Sequence, residues 1–387
     1  MLAERAQNVE SSATLAMSAK AKQMRKEGHK VIDFGAGEPD FDTPDVIKQA
    51  AINAIREGFT KYTAPNGIIE LRQAICHKLK QDNKIDYEPS QVVVCNGAKQ
   101  ALFNTMLALV DKDDEVLVPR PYWVSYLDQV KLASGTPIVY ETENLKVKVD
   151  LIREKITDKT KLIILNSPCN PTGSIIEKTE FEKIAQLCVE KKIFVISDEV
   201  YEKFIYGNKE HVSIAALGDD IKNLAITINA VSKTYAMTGW RIGYCAGPIT
   251  IMNAISAMQS HTTSNPNSIA QKAALEALSG HHHETVEEMR KEFELRRNFM
   301  VERLNEIPGI SCAMPDGAFY AFPSVKKTGL DGTAFCKRLL DEVKVAAVPG
   351  MAFGDDKHIR LSYATSVENI QEGLNRIEEF CKKLKVM

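Results

Sequence analysis

Neither sign of charge prevails in this chain of 387 residues: 49 lysines and arginines stand against 51 aspartates and glutamates, a formal net charge of -2. Without a broad basic field there is nothing to draw in nucleic acid or an anionic membrane, so neither is expected as a partner. Long apolar runs are lacking as well. The first twenty residues hold Glu4, Arg5, Glu10 and Lys20 where a signal segment would have its apolar core, and no later stretch approaches a membrane span. The cytoplasm is therefore the expected location. The eight cysteines, at 76, 95, 169, 188, 245, 312, 336 and 381, form no CxxC pair, and several sit in apolar runs as small hydrophobes, which predicts reduced, buried thiols. There is no HExxH or comparable convergence of ligands, so no metal site is expected; His281-His282-His283, between a Ser-Gly pair and an acidic helix, reads as a surface loop. No GxGxxG follows the first strand, which excludes the fingerprint loop of a dinucleotide dehydrogenase. Internal repeats, low-complexity tracts and Pro/Ser linkers are missing too, so the parts of the chain should pack tightly.

What is present is an ordinary folded composition, 44% hydrophobic and 26% charged, in a chain long enough for two domains. From about residue 46 to 285, short runs rich in β-branched residues alternate with helical stretches, the pattern of an α/β domain whose mostly parallel sheet is covered on both faces by helices. The runs are Val92 to Cys95, Glu115 to Val118, Leu162 to Leu165 and Ile193 to Ser197. Residues 286–387 open with a charged helix whose Glu287, Glu288, Arg290, Lys291, Glu292, Arg296 and Arg297 read as a solvated face. Turns at Pro308-Gly309, Pro315-Asp316-Gly317 and Pro349-Gly350 then separate short strands, which predicts a smaller α+β domain. Residues 1–45 read as an N-terminal arm that also contributes to the smaller domain.

In open parallel sheets ligands gather at the carboxyl ends of strands, and the polar residues of this chain fall there. Asn96-Gly97-Ala98-Lys99 enters a helix with small residues, as a phosphate-binding turn does, though ordinary strand-to-helix turns look the same. Trp123 follows the next strand, either as a plate for a flat ring or as a core aromatic. Asn170 lies in a loop stiffened by Pro168 and Pro171, a segment that would also suit helix capping. Asp198 stands at a strand tip with Tyr201 three residues on; lacking metal-ligand company, the acid is better matched to a cationic ring nitrogen. Ser232-Lys233 follows another strand-like run, with Arg241 eight residues later. A lysine can lose its proton and act as a nucleophile, whereas an arginine stays charged and grips a phosphate or carboxylate through a planar fork. Arg360, in an apolar run, needs an anionic partner, either a structural carboxylate or a substrate's.

Together with Ala36-Gly37-Glu38-Pro39-Asp40-Phe41, Lys61-Tyr62-Thr63, Asn170-Pro171-Thr172-Gly173, Gly239-Trp240-Arg241-Ile242-Gly243 and Arg360-Leu361-Ser362, these segments resemble, in order and over nearly the whole chain, the fold-type I, class I aminotransferases that use pyridoxal phosphate (PLP), in particular the bacterial aspartate subgroup. The resemblance implies that Lys233 holds PLP as a Schiff base and carries the substrate's α-proton. It implies that Asp198 pairs with the pyridinium nitrogen, that Asn170 and Tyr201 hydrogen-bond the ring oxygen, and that Trp123 stacks on the ring. Gly97, Ala98, Lys99, Ser232 and Arg241 surround the phosphate in such enzymes, and Tyr62 reaches the phosphate of a neighbouring subunit, which implies a homodimer with shared sites. Arg360 would bind the substrate α-carboxylate, Gly37 would approach it, and Trp123 and Asn170 would border it. Lys99 and Thr14 match positions that meet a distal carboxylate in the aspartate subgroup, although a solvent-facing helix lysine is the plain alternative for Lys99. The expected substrates are amino acids and 2-oxo acids, with L-aspartate and 2-oxoglutarate first; prephenate, aromatic, alanine or kynurenine substrates, or a PLP lyase reaction, are the alternatives. One departure is Ala230, where many relatives carry a hydroxyl residue, leaving Ser232 as the nearby hydroxyl.

Overall fold

A computed structural model describes residues 2–3, 7 and 13–384, with the side chains of residues 13–16 and 18 outside the description. Its centre is a seven-stranded sheet in the order β2-β8-β7-β6-β5-β3-β4. The strands are β2 (Val92–Cys95), β3 (Glu115–Pro119), β4 (Thr136–Tyr140), β5 (Thr160–Asn166), β6 (Phe194–Asp198), β7 (Ala225–Ala230) and β8 (Gly243–Ala246). Only β8 runs against its neighbours, pairing antiparallel with both β2 and β7. Because strand side chains alternate, each strand feeds two cores. Val92, Val94, Ile163 and Leu165 point to one face, whereas Val93, Cys95, Leu162 and Ile164 point to the other. Every one of those residues is buried, which is why the strands read as unbroken apolar runs and not as alternating ones.

The second packing unit gathers around the 24-residue helix His283–Glu306 and the C-terminal helix Val367–Lys383. Phe293, Phe319, Phe335, Leu374 and Phe380 form its core. Its strands are short: β9 (Tyr320–Ala321), β11 (Val348–Pro349) and β12 (Ile359–Ser362) make a small antiparallel sheet, while β1 (Ile32–Asp33) pairs parallel with β10 (Val345–Ala346). That last pair ties the N-terminal segment into this unit. Its two late helices begin with side-chain caps, Asp331 accepting from Ala334 N–H and Ser366 from Asn369 N–H.

Two expectations need correction here. The charged face of the long helix is not wholly solvated: Arg296 and Arg297 are buried. Arg296 ion-pairs with Asp40 at 2.8 Å, and Arg297 donates to the Pro315 carbonyl while lying over the Tyr206 ring. The histidine tract is split as well, since His282 is tucked in edge-on to Tyr235 while its neighbours are exposed. Both effects are tertiary: long side chains with apolar stems fill gaps that only the folded neighbours define. Six of the eight cysteines are buried, with Cys76 and Cys169 half-buried, and all are free thiols.

Candidate active site

The carboxyl ends of β5, β6 and β7 open into a cavity of about 560 Å³ that reaches across to β12 and the loop after β1. Gly37, Ala98, Lys99, Trp123, Asn170, Asp198, Tyr201, Ser232, Lys233, Arg241 and Arg360 all line it. Strand ends supply this convergence because parallel strands deliver successive loops to one edge.

Lys233 sits on the short helix Val231–Thr234 that leaves β7. Its Nζ donates to the Gly37 carbonyl at 2.5 Å. Burial brings this ammonium down to about 8; Glu38 opposes the fall, Arg360 and Arg241 add to it, and Asp198 opposes it. An amine in that range is available as nucleophile and base near neutral pH.

Asp198 ends β6, almost fully buried. Its Oδ2 accepts from the Tyr126 hydroxyl at 2.7 Å. Burial raises its carboxyl to about 6, against hydrogen bonds from Tyr126 and the Val200 N–H that favour the ionised form, while Glu199 pushes it further up and Lys233 holds it down. A buried carboxylate with no ion-pair partner among the described residues calls for a cation in front of it.

Arg360 lies in β12, 3% exposed. It donates to Asn170 Oδ1 and to the Gly35 carbonyl, each at 2.9 Å, and its Nε has no partner. Its guanidinium lies 4.4 Å from the centre of the Tyr320 ring. No carboxylate of the described residues pairs with it, which leaves the fork free for an incoming anion. Asn170 is held by a backbone bond to Asn166 Oδ1 at 2.8 Å, and Tyr201 shares a hydrogen bond with Tyr320 at 2.9 Å.

At the opposite wall the helix Ala98–Leu109 begins at Gly97 with no side-chain cap, leaving its first N–H groups and positive dipole end unanswered. Gly97 has φ 85° and ψ 163°, and a Cβ there would strike the Arg241 guanidinium. Arg241 therefore packs directly on the turn, anchored through Thr238 O at 2.9 Å. Lys99, on the same helix, places Nζ 4.9 Å from the Trp123 ring centre, and burial, with help from Arg241, lowers its proton affinity.

Sequence reasoning did not find Tyr126, Tyr320 or Asn166, which line or brace the cavity. Tyr126 lies in a helix and Tyr320 in an apolar run, with no local signal, whereas Asn166 ends β5 just after Leu162 to Leu165 and could have been found by its place at the strand tip. Tyr62 does not line its own chain's cavity and is 89% exposed. The side chain of Thr14 lies outside the described residues. No helix of the described residues is long and apolar enough to cross a membrane.

Residues 29–377 match the family described as aminotransferase class I and II. The chain belongs to that family. These class I and II aminotransferases include the aspartate aminotransferase of Bacillus subtilis, to which this chain is 48% identical, with 99% of each covered. They also include the probable aspartate/prephenate aminotransferase of Aquifex aeolicus, at 47% identity and 99% coverage of each. Among solved structures, the Rhizobium meliloti aspartate aminotransferase superposes with a TM-score of 0.95 at 39% identity over 100% of each chain. The Thermus thermophilus aspartate aminotransferase with maleate gives 0.95 at 40% identity, over 98% of this chain and 99% of that one. As an aminotransferase of this family the chain is a PLP-dependent enzyme acting on amino acids and keto acids.

Proposed function

We propose that the cavity binds PLP and that the enzyme transfers the amino group of L-aspartate to 2-oxoglutarate, giving oxaloacetate and L-glutamate in two half-reactions. The observation that carries this reading is the convergence, in one cavity, of a lysine at about 8, a buried carboxylate and an arginine fork, neither of the last two with an ion-pair partner among the described residues. The residues fit PLP: the uncapped helix at Gly97 and the Arg241 guanidinium would hold its phosphate, Asp198 its ring nitrogen, Asn170 and Tyr201 its ring oxygen, and Trp123 its face. Bound PLP supplies an electron-withdrawing ring that accepts the charge released when a substrate loses its α-proton.

The protein's own part is binding and proton traffic. Lys233 would hold PLP through its amine and, once freed, its Nζ would take the proton from the substrate Cα and give it up again. Arg360 holds the α-carboxylate bidentately, which orients the Cα–H bond toward Lys233. Asp198 would favour a protonated ring nitrogen in front of it. Asp33, Glu38 and Asp198 are outnumbered at the cavity wall by Lys22, Arg25, Lys99, Lys233, Arg241 and Arg360, a balance that suits a dicarboxylate. Lys99, on the wall beside Trp123, supports recognition of the distal carboxylate, and the maleate named for the Thermus structure is such a dicarboxylate. Prephenate, also a dicarboxylate, is the second reading, favoured by relatives named aspartate/prephenate aminotransferase. A homodimer in which Tyr62 serves the neighbouring site completes the proposal; its side chain stands almost free in the single chain.

The test is the absorbance spectrum of the purified protein before and after L-aspartate, without any keto acid. Aspartate should convert the cofactor band to that of the aminated cofactor, 2-oxoglutarate should reverse the change, and Lys233→Ala should show neither. Conversion by prephenate's amino counterpart but not by aspartate would replace the substrate and keep the mechanism; no cofactor band after PLP addition would overturn the proposal.

A further inference from the structure

Behind Asp198, on the side away from the cavity, lies a buried set of titratable groups that the reaction above does not use. Glu199, Glu202, Asn83, Lys78 and Ser213 are all buried, and none of them lines the cavity. Asn83 ends a short π-helical stretch, Leu79–Asn83, a local irregularity of the kind that re-aims one side chain. Its amide nitrogen stands 3.0 Å from Glu199 Oε2, 2.7 Å from Glu202 Oε2 and 3.0 Å from Ser213 Oγ. Glu199 also accepts from Ser197 at 2.9 Å, from Ser213 Oγ, and from His211 Nε2 at 2.8 Å. Lys78 ion-pairs with Glu202 and donates to Asn83 Oδ1 at 2.6 Å, while Lys203 pairs with Asp82 at 2.9 Å. Burial disfavours the Glu202 charge, but Lys78, His211 and Lys203 outweigh it and hold the carboxyl at about 2. The phenols of Tyr87, Tyr235 and Tyr244 close the surroundings, pushed up chiefly by burial and also by these acids.

Glu199, Glu202 and His211 bring ligand atoms within 4.8 Å of one another, yet the Lys78 ammonium already supplies the cation, so this is an ion-paired anchor and not a metal site. Ion pairs at such depth are a poor route to stability, since desolvation offsets most of their attraction and apolar packing of the same volume does as well. Their placement suggests another role. Within the single turn that leaves β6, Asp198 and Tyr201 face the cavity whereas Glu199 and Glu202 face the anchor. The anchor joins that turn to two separate segments, the end of the helix at residues 69–83 and the loop at 211–213.

We propose that Glu199, held by Asn83, His211 and Ser213, is a positioning residue. It pins the turn from behind so that Asp198 and Tyr201 keep their aim into the cavity, and its negative charge favours a protonated nitrogen in front of Asp198. The inference rests on reading the cavity as a PLP site.

The experiment compares the parent, Glu199→Gln and Ser213→Ala as cofactor-free proteins reconstituted with PLP. It reads the dissociation constant for PLP by fluorescence quenching, the pH midpoint of the bound-cofactor absorbance, and the melting midpoint of the cofactor-free form. Glu199→Gln should bind PLP roughly tenfold more weakly, the size expected when a group that orients a ligand-holding side chain is lost. Its absorbance midpoint should move to lower pH, because removing a nearby negative charge makes any cationic group in the site more acidic. Ser213→Ala should weaken PLP binding about threefold, the worth of one hydrogen bond, and it carries the test if Glu199→Gln does not fold. Variants that bind and titrate as the parent does, whatever their melting midpoints, would make the anchor purely structural and overturn the inference. A parent that takes up no PLP would instead overturn the reading of the cavity on which it rests.

Discussion

Asp198 shows at residue scale how a site can be built against the stability of the chain that carries it. Its carboxyl, at about 6 in the folded chain against an ordinary 3.8, binds a proton more tightly folded than unfolded. Its contribution therefore favours the fold at pH below about 4 and is lost as pH rises through about 6. Replacing it by asparagine removes the titration and still accepts the Tyr126 hydroxyl. Cofactor-free Asp198→Asn should thus be more stable than the parent at pH 7.5 by roughly 2–3 kcal/mol, a gain that fades toward pH 4, while transamination falls by at least about a hundredfold. Urea unfolding at the two pH values checks the first part, and an equal offset at both would refute the electrostatic cause. The position of Asp198 was legible in the sequence, as were those of Lys233 and Arg360, because each follows an apolar run or sits in one; Asn170 stood out by its flanking prolines and Arg241 by its spacing from Lys233. Tyr126 was not: it lies in the helix Tyr126–Leu132, and only the fold brings it to 2.7 Å from a strand end 72 residues away.

At the scale of elements, the strand-to-helix turn at Gly97 joins backbone conformation to ligand binding. With φ 85° and ψ 163°, Gly97 occupies a region that residues with a Cβ enter at a cost of about 1–3 kcal/mol. A methyl group there also meets the Arg241 guanidinium. Gly97→Ala should therefore lower stability by that amount and, by displacing Arg241 from the helix N-terminus, weaken PLP binding by at least about tenfold. Denaturation and PLP titration read the two effects separately; a loss of stability with PLP affinity intact would mean that the turn does not hold the phosphate. Elements with both faces buried were the readable ones: the runs from Val92, Glu115, Leu162 and Ile193 became strands within a residue or two of where the pattern placed them. The antiparallel direction of β8 and the two-residue pair β1–β10 were not readable, because a strand's direction and so brief a pairing leave no periodic trace. The buried Arg296 and Arg297 belong to the same class, since Asp40 lies 256 residues from Arg296 and Pro315 meets Arg297 only after the chain turns back beyond the helix.

At the scale of the whole molecule, the proposed sharing of sites has a direct consequence for mixed dimers. The cavity wall of a single chain supplies Lys233, Asp198, Arg360 and Arg241, whereas Tyr62 points to solvent with its ring almost bare. A ring so exposed is free to reach the site of a second copy, the role the shared-site proposal gives it. If sites are shared between two copies, the variants Tyr62→Ala and Lys233→Ala damage different components of each site. Each homodimer is impaired, Lys233→Ala completely, yet a hybrid of the two contains one site with both damaged residues and one with neither. Random pairing of equal amounts makes half the dimers hybrids with one intact site apiece, so mixing should restore about a quarter of the parental activity. Co-expression with two affinity tags, followed by purification through both, isolates the hybrid and should double that recovery per dimer. If Tyr62 served its own chain, every site in the hybrid would keep one lesion and no activity would return above the mean of the two parents. The hybrid reports on the assembled molecule itself, because it counts intact sites instead of measuring how firmly two copies hold together.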